Sequence, residues 1–325
     1  MKLGVFIGRC QPLHDGHVAC IKAMLDSMDK GIVLLGSANA MPSVKNPFTF
    51  SDRKSLITLR FVEYLDKLVI LPLNDYRYDD AAWVGDVDMI IDKYSDDATS
   101  VHIFGHKKEG NFYLDWFPDA EFHNIDAVSD NTGTLIRNQL FEQRDESIPA
   151  TVLLDYDYAK SEALLFANYP YPETLSFQCS DMVVSSAGHI LLVNRGSSPG
   201  IETWALPGGF KNANESFVDC GIRELREETG LDIMKVNCKI NNAVLFDSPD
   251  RSSNGCIPRV TMVYHVVGED MSDVVGGDDA ITANWFSFHD VMNNLVMYDD
   301  HRDIISILLQ IRPAPAHLNK VFNDA

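Results

Sequence analysis

No stretch of the chain reaches the roughly 18 consecutive apolar residues that a membrane-spanning helix needs, so the sequence predicts no membrane partner. Basic residues are scarce: 27 Lys and Arg face 47 Asp and Glu, for a net charge of -20. A surface of that sign repels phosphate backbones, which argues against nucleic acid as a partner. Small phosphorylated substrates stay open, since they need only a local cluster of positive groups and usually a divalent cation. Cysteine is sparse and unpatterned. The six (Cys10, Cys20, Cys179, Cys220, Cys238 and Cys256) include no C-x-x-C pair, so neither a disulfide framework nor a thiolate zinc site is expected. Reduced thiols in a cytoplasmic protein are the expectation. Internal repeats and low-complexity tracts are absent. The start, Met1 to Gly8, is apolar but short. It runs straight into Arg9, His14 and His17, and so reads as a core strand, not a signal peptide.

What is present is enough for two cores. A chain of 325 residues, 46% hydrophobic and 23% charged, has the composition of an ordinary globular protein and the length of two domains. Up to residue 145, short apolar strands (Leu3–Gly8, Ile32–Gly36, Leu68–Leu73, Val101–Phe104) alternate with helical spacing. The helical stretches are Gly16–Met28, one capped by Ser51, Trp83–Ile91 and Thr134–Phe141. That alternation predicts an α/β domain with a parallel sheet and a ligand site at the carboxyl ends of the strands. Residues 146–175 hold Pro149, Pro170 and Pro172 around a helical stretch near Tyr158–Ala167, and read as a connector. From 176 to 325 the pattern becomes α+β. Met182–Ser186 and Ile190–Asn194 flank a hairpin turn at Ala187-Gly188, and a helix follows at Glu215–Thr229. Strands are expected at Ala243–Phe246, Val260–Val267 and Asn284–Phe288, then helices at His289–Leu295 and Asp300–Ile311.

The first strand leads through Gly8-Arg9-Cys10-Gln11-Pro12-Leu13-His14-Asp15-Gly16-His17 into a helix. Gly8 permits close backbone approach to a ligand, and His14 and His17, three apart at a helix start, share a face. A helix N-terminus attracts phosphate, and two imidazoles there can donate to it. Two surface histidines beside a turn are the plain alternative. Cys10, between Arg9 and Gln11, is expected either to present a thiol that reagents reach or to be buried and inert.

The second constellation is Gly209, Glu215 and then Arg223-Glu224-Leu225-Arg226-Glu227-Glu228-Thr229-Gly230-Leu231. Glu224, Glu227 and Glu228 fall at i, i+3 and i+4 on a helix, where like charges repel. Hard divalent cations held by carboxylate oxygens resolve such repulsion, while a merely solvated acidic face is the alternative. Arg223 can pair with Glu215, Gly208 and Gly209 bring backbone near the metal, and Gly230 ends the helix.

The first constellation resembles the H-x-G-H nucleotidyltransferases, and within them the archaeal-type nicotinamide-mononucleotide (NMN) adenylyltransferases. Further likenesses are Lys45-Asn46-Pro47-Phe48-Thr49 with Arg53, Asp80–Trp83, Gly105-His106-Lys107-Lys108-Glu109 with Tyr113-Leu114 and Phe117-Pro118, and Thr132-Gly133-Thr134-Leu135-Ile136-Arg137. Cys10 stands where an aromatic is common, Glu109 replaces Asp and Thr132 replaces Ser. The resemblance implies a Rossmann-like fold that transfers AMP from ATP to NMN, giving NAD and pyrophosphate. It implies Arg9, His14, His17 and Arg137 as the groups that neutralise developing charge. Gly8, Asn46, Arg53, Gly105, His106, Lys108, Thr132 and Thr134 would bind ATP and NMN. Trp83 would stack on the cationic nicotinamide, or else belong to the core.

The second constellation resembles the Nudix box, with Trp204-Ala205-Leu206-Pro207-Gly208-Gly209-Phe210 ahead of it. Phe246-Asp247-Ser248-Pro249-Asp250-Arg251 and Gly277-Asp278-Asp279-Ala280 with Trp285-Phe286 resemble ADP-ribose pyrophosphatases fused to the adenylyltransferase. The resemblance implies hydrolysis of ADP-ribose to AMP and ribose 5-phosphate, with magnesium, or manganese in its place, held by Gly208, Glu224, Glu227 and Glu228. Glu228 would be catalytic, and Trp204, Gly209 and Arg251 would bind substrate. Asp278 or Asp279 would help the attacking water or simply form a turn. The alternatives are another H-x-G-H transferase, and a Nudix domain that cleaves NADH or dinucleoside polyphosphates or only senses ADP-ribose. Oligomeric state stays open, a homo-oligomer included.

Overall fold

The computed structural model describes every residue except 97–98, 107–115, 127–131, 235–237, 270, 272, 314, 316 and 318–325. The chain forms two compact units: residues 1–40, 46–148 and 315–325, and residues 41–45 with 149–314. Among the described residues, no helix is long and apolar enough to cross a membrane.

In the first unit the elements alternate. They are β1 (Lys2–Gly8), α1 (Asp15–Ser27), β2 (Lys30–Leu35), α2 (Phe50–Arg60), β3 (Leu68–Pro72), α3 (Asp80–Tyr94), β4 (Ser100–Gly105), β5 (Glu121–Asn124) and α4 (Gly133–Gln143). The strands are all parallel, in the order β3-β2-β1-β4-β5. Apolar residues on both sides of β1 and β2 follow from burial of both faces. Phe6, Val33, Leu35 and Phe104 pack with Ile21, Met24 and Leu25 of α1. Their alternates Leu3, Val5, Ile32, Leu34 and Ile103 pack with Val87 and Ile90 of α3. The strand order reverses between β1 and β4, so the crevice beyond Gly8 and Gly105 is where such a sheet takes a ligand.

Two expectations need correction here. Thr49, not Ser51, caps α2: its hydroxyl accepts from Asp52 N–H while the Asp52 carboxylate accepts from Thr49 N–H. Strand β5 was not foreseen, because Glu-Phe-His-Asn carries no apolar run.

The second unit opens with α5 (Ala150–Leu165), the helix of the segment expected to be a connector. Then come β6 (Phe177–Ser186), β7 (His189–Arg195), β8 (Trp204–Ala205), β9 (Gly208–Phe210), α6 (Phe217–Thr229), β10 (Cys238–Phe246), β11 (Arg259–Gly268), β12 (Ala280–Ser287), α7 (Phe288–Asn293) and α8 (His301–Leu309). A mixed sheet runs β10-β11-β6-β7-β12, with β8 on β7 and β9 on β6. Ala187 and Gly188, both at positive φ, turn β6 into β7 as the dipeptide suggested. The short β8 and β9 lie in the Trp204–Phe210 loop and were not expected as strands.

Candidate active sites

At the end of β1 the chain turns through Arg9 to His14 and enters α1. His14 is the N-cap: its Nδ1 accepts from Gly16 N–H at 3.2 Å, so the neutral ring carries its proton on Nε2. The His17 ring lies against it, centroids 3.8 Å apart. A Cβ on Gly8 would sit 2.9 Å from the Phe6 ring, so the glycine makes room for a core side chain as well as for a ligand.

Helix α4 closes the turn from the other side. Arg137 donates from Nη1 to the Gln11 carbonyl and from Nη2 to Thr134 Oγ1 at 3.1 Å. A Cβ on Gly133 would meet that same carbonyl at 3.2 Å and the His14 ring at 3.7 Å. Thr132 caps α4, its hydroxyl accepting from Leu135 N–H. Burial lowers the Arg137 pKa, and the charge of Arg9 lowers it further. Two mutually repelling guanidiniums in a chain of net charge -20 mark a place for an anion.

The Asn46–Thr49 segment is fastened to this turn. Asn46 Oδ1 accepts from Arg9 Nη1 at 3.4 Å. Arg53, expected to touch substrate, is 1% exposed and spends its guanidinium on the carbonyls of Arg9, Gly36, Ser37 and Thr49. It ties the turn after β1, the end of β2 and the start of α2 together. Trp83 packs edge-on with Trp116 and Phe117, at 6.1 and 6.2 Å. At the end of β4, His106 Nδ1 lies 3.0 Å from the Ile125 carbonyl, and a Cβ at Gly105 would make only an ordinary contact. Lys107, Lys108, Glu109, Tyr113 and Leu114 lie outside the described residues. Cys10 is buried, and burial pushes its thiol up to about 12, which matches the buried alternative.

In the second unit a cavity of about 730 Å³ opens between β6, β7, β9, α6 and α8. Ser216 caps α6 with a capping box, and Gly230 ends it at φ 72°. Of the three glutamates, Glu224 and Glu228 line the cavity. Glu227 is half-exposed and does not line it. Four residues apart nearly restores the same side of a helix, whereas neighbours diverge by about 100°. Arg223 is the hub: it grips Glu215 with two hydrogen bonds of 3.0 and 2.7 Å and holds Glu224 at 2.7 Å and Glu227 at 3.0 Å. That pairing holds the Glu215 carboxyl down at about 2.

The glycines around this helix leave room for its acidic partners. A Cβ on Gly209 would lie 2.6 Å from Glu224 Oε1, and one on Gly208 would lie 2.3 Å from Asp181 Oδ1. Gly208 N–H donates to Glu228 Oε2 at 2.9 Å. Burial pushes Glu228 up to about 8 and Asp181, beside it, up to about 7. Glu224 is also raised by burial. Buried carboxylates whose ionisation burial opposes, with glycines that leave room beside Asp181 and Glu224, are the kind of oxygen donor a hard divalent cation takes.

Arg251 and Trp204, expected to bind substrate, are otherwise employed. Arg251 lines the cavity but is 6% exposed, pairs with Asp300 through two 3.1 Å hydrogen bonds and donates to Thr261 and Phe246. Trp204 packs edge-on with Phe286 at 4.5 Å and does not line the cavity. Asp278 and Asp279 do line it, in a turn where Asp278 has φ 48°. Sequence reasoning missed Asp181, Arg195, Tyr298 and His301, all on the cavity wall. Arg195 lies over the Tyr298 ring at 4.3 Å. His301 accepts from Leu206 N–H, and burial lowers it to about 3. Helix α5 gives Tyr158 to the wall, and Asp155 takes the Gly200 N–H.

Residues 5–138 match the cytidylyltransferase-like family and residues 180–307 the NUDIX domain family. A nicotinamide/nicotinic acid mononucleotide adenylyltransferase of Acinetobacter baylyi is 30% identical over 42% of this chain and 74% of its own length. An ADP-ribose pyrophosphatase of Methanocaldococcus jannaschii is 34% identical over 38% of this chain and 68% of its own. A crystal structure of a bifunctional NMN adenylyltransferase/ADP ribose pyrophosphatase from Francisella tularensis superposes with a TM-score of 0.82 at 28% identity, over 95% of this chain and 98% of that one. The same protein was also crystallised with AMP and a manganese ion (TM-score 0.81). Dependence on a divalent metal goes with the Nudix family. The chain belongs to the family that joins an H-x-G-H nucleotidyltransferase of the NMN adenylyltransferase type to a Nudix hydrolase of the ADP-ribose pyrophosphatase type.

Proposed function

We propose that this chain makes NAD in its first unit and hydrolyses ADP-ribose in its second. The observation that carries the first activity is the convergence of Arg9, His14, His17 and Arg137 on one turn at the switch point of the parallel sheet. The 5′-phosphate of NMN attacks the α-phosphorus of ATP, a new P–O bond forms, and the bond to the bridging oxygen breaks to release pyrophosphate. The nucleophile is already an anion, so the protein has only to align two anions and absorb developing charge. His14 donates from Nε2, because Nδ1 is occupied by Gly16. Thr134 and the Gln11 carbonyl orient Arg137, while Arg53 and Gln11 position the Asn46–Thr49 loop. Trp83 is the candidate platform for nicotinamide. Magnesium is the metal proposed for both reactions.

In the second unit, water adds to a phosphorus of ADP-ribose and the diphosphate linkage breaks to AMP and ribose 5-phosphate. A divalent cation supplies polarisation of the phosphate and a more acidic bound water. Glu224 and Glu228 would hold it, with Gly208 alongside and Glu227 at the margin. Arg223 keeps two of these carboxylates in place. Arg195 presents a positive charge within a largely acidic wall. Chromatography of products from NMN plus ATP, and separately from ADP-ribose, tests the reading. NAD with pyrophosphate, and AMP with ribose 5-phosphate, are the expected products, and failure of either substrate to react overturns that half.

A further inference from the structure

The edge of the five-stranded sheet carries three side chains that neither activity uses. They are His102 on β4 and Glu121 and His123 on the edge strand β5. Parallel register sets His102 beside Glu121 and Phe104 beside His123, so all four share one face of the sheet. His102 Nδ1 lies 2.9 Å from His123 Nε2 and 3.4 Å from Glu121 Oε2, and His123 Nε2 lies 3.7 Å from Glu121 Oε1. Two ligands bound tetrahedrally at zinc distances stand about 3.3 Å apart, and the three separations straddle that value. Among the described residues this is the one group of three whose ligand atoms converge so closely.

Each ring is held by something other than its fellow. Ser100 Oγ lies 2.9 Å from His102 Nε2, the outer hydrogen bond that orients a metal-binding histidine and leaves Nδ1 to the ion. His123 stacks flat on Phe104, centroids 4.5 Å apart and planes within 8°. His102 is 7% exposed, so its ring is held in place within the sheet. Without an ion, the two facing nitrogens need a shared proton between them. A cation replaces that proton and satisfies the carboxylate as well.

We propose that His102, Glu121 and His123 form a site for a divalent transition metal, zinc by preference, that ties the edge strand β5 to β4. Imidazole nitrogens select zinc over magnesium or manganese, so the site differs in kind from the all-oxygen requirements of the two reactions. Glu121 is the exposed member, which leaves a fourth position for water.

The test uses the full chain stripped with chelator, then dialysed against zinc in excess magnesium, with bound metal measured by elemental analysis. Wild-type protein should retain zinc, and His123→Gln and Glu121→Gln should each weaken retention at least about tenfold. Cobalt in place of zinc should give visible bands without thiolate charge transfer. Those bands should vanish in His123→Gln and persist in His17→Ala, which breaks the His14–His17 ring contact. No zinc retained by wild type, undiminished retention in both ligand variants, a thiolate charge-transfer band, or cobalt bands lost with His17 would each overturn the proposal.

Discussion

The side-chain amide of Gln11 grips the backbone of Phe48 from both sides: Nε2 donates to the carbonyl at 2.7 Å and Oε1 accepts from the N–H at 3.0 Å. Gln11 is 3% exposed, so the grip is buried. It locks the Asn46–Thr49 loop to the turn that carries Arg9 and His14. Gln11→Ala would strand two buried backbone groups, each costing about 1–3 kcal/mol. NAD synthesis should fall at least about tenfold, and ADP-ribose hydrolysis should hold within about twofold. Paired assays on one preparation check this.

The Arg251–Asp300 pair predicts a loss of stability, not of recognition. Both partners are nearly buried, and removing one leaves the other uncompensated, at about 3–5 kcal/mol. Arg251→Ala should lower the melting temperature of the second unit. Any folded fraction should keep its KM for ADP-ribose near the wild-type value. A large rise in KM with unchanged stability would restore Arg251 to the substrate site.

Acidity offers a third test. Glu228 and Asp181 bind protons more tightly folded than unfolded, at about 8 and about 7 against ordinary values of 4.5 and 3.8. A raised carboxylate contributes stability that is complete below its unfolded value and is lost as pH rises through its folded one. His301 works in the opposite sense, but below about 6.5, where its unfolded form takes a proton. Between pH 7 and 8.5, chelated protein should therefore lose stability in the second unit as pH rises. Glu228→Gln should make the loss shallower, and manganese should raise the melting temperature more at pH 8.5 than at pH 7. Thermal unfolding across that interval checks all three.

Cys10 should resist alkylation in the native state, since its thiol is buried and raised to about 12. Mass spectrometry after iodoacetamide treatment at pH 8 should find it unmodified with or without ATP. Labelling that ATP prevents would reinstate a reactive thiol at the phosphate turn.

The parts of the molecule legible in the sequence were those with local signatures. The apolar strands of a doubly buried parallel sheet, the hairpin at Ala187-Gly188, the Arg223–Glu215 pair and the glycine end of α6 all follow from short-range rules. Long-range partners did not show. The resemblance makes Arg53 a substrate-binding residue, and nothing local shows that Gly36, 17 residues away, takes its guanidinium. Arg251 meets Asp300 from 49 residues off. Asp181 looks like a polar residue inside an apolar strand, and only the fold of Gly208 onto it turns it into a cavity carboxylate. Strand β5 lacks the apolar pattern because it is a short edge.

The central claim is that two chemistries occupy separate sites built from separate units. Glu228→Gln keeps the side-chain shape but removes a carboxylate charge from the cavity, and His17→Ala removes a donor at the phosphate turn. Both variants and wild type should be assayed with NMN plus ATP and with ADP-ribose, after circular dichroism confirms folding. Glu228→Gln should abolish hydrolysis and leave NAD synthesis within about twofold, while His17→Ala should lower NAD synthesis at least about tenfold and spare hydrolysis. Loss of both activities in folded Glu228→Gln protein, or unchanged hydrolysis in that variant, would contradict the account.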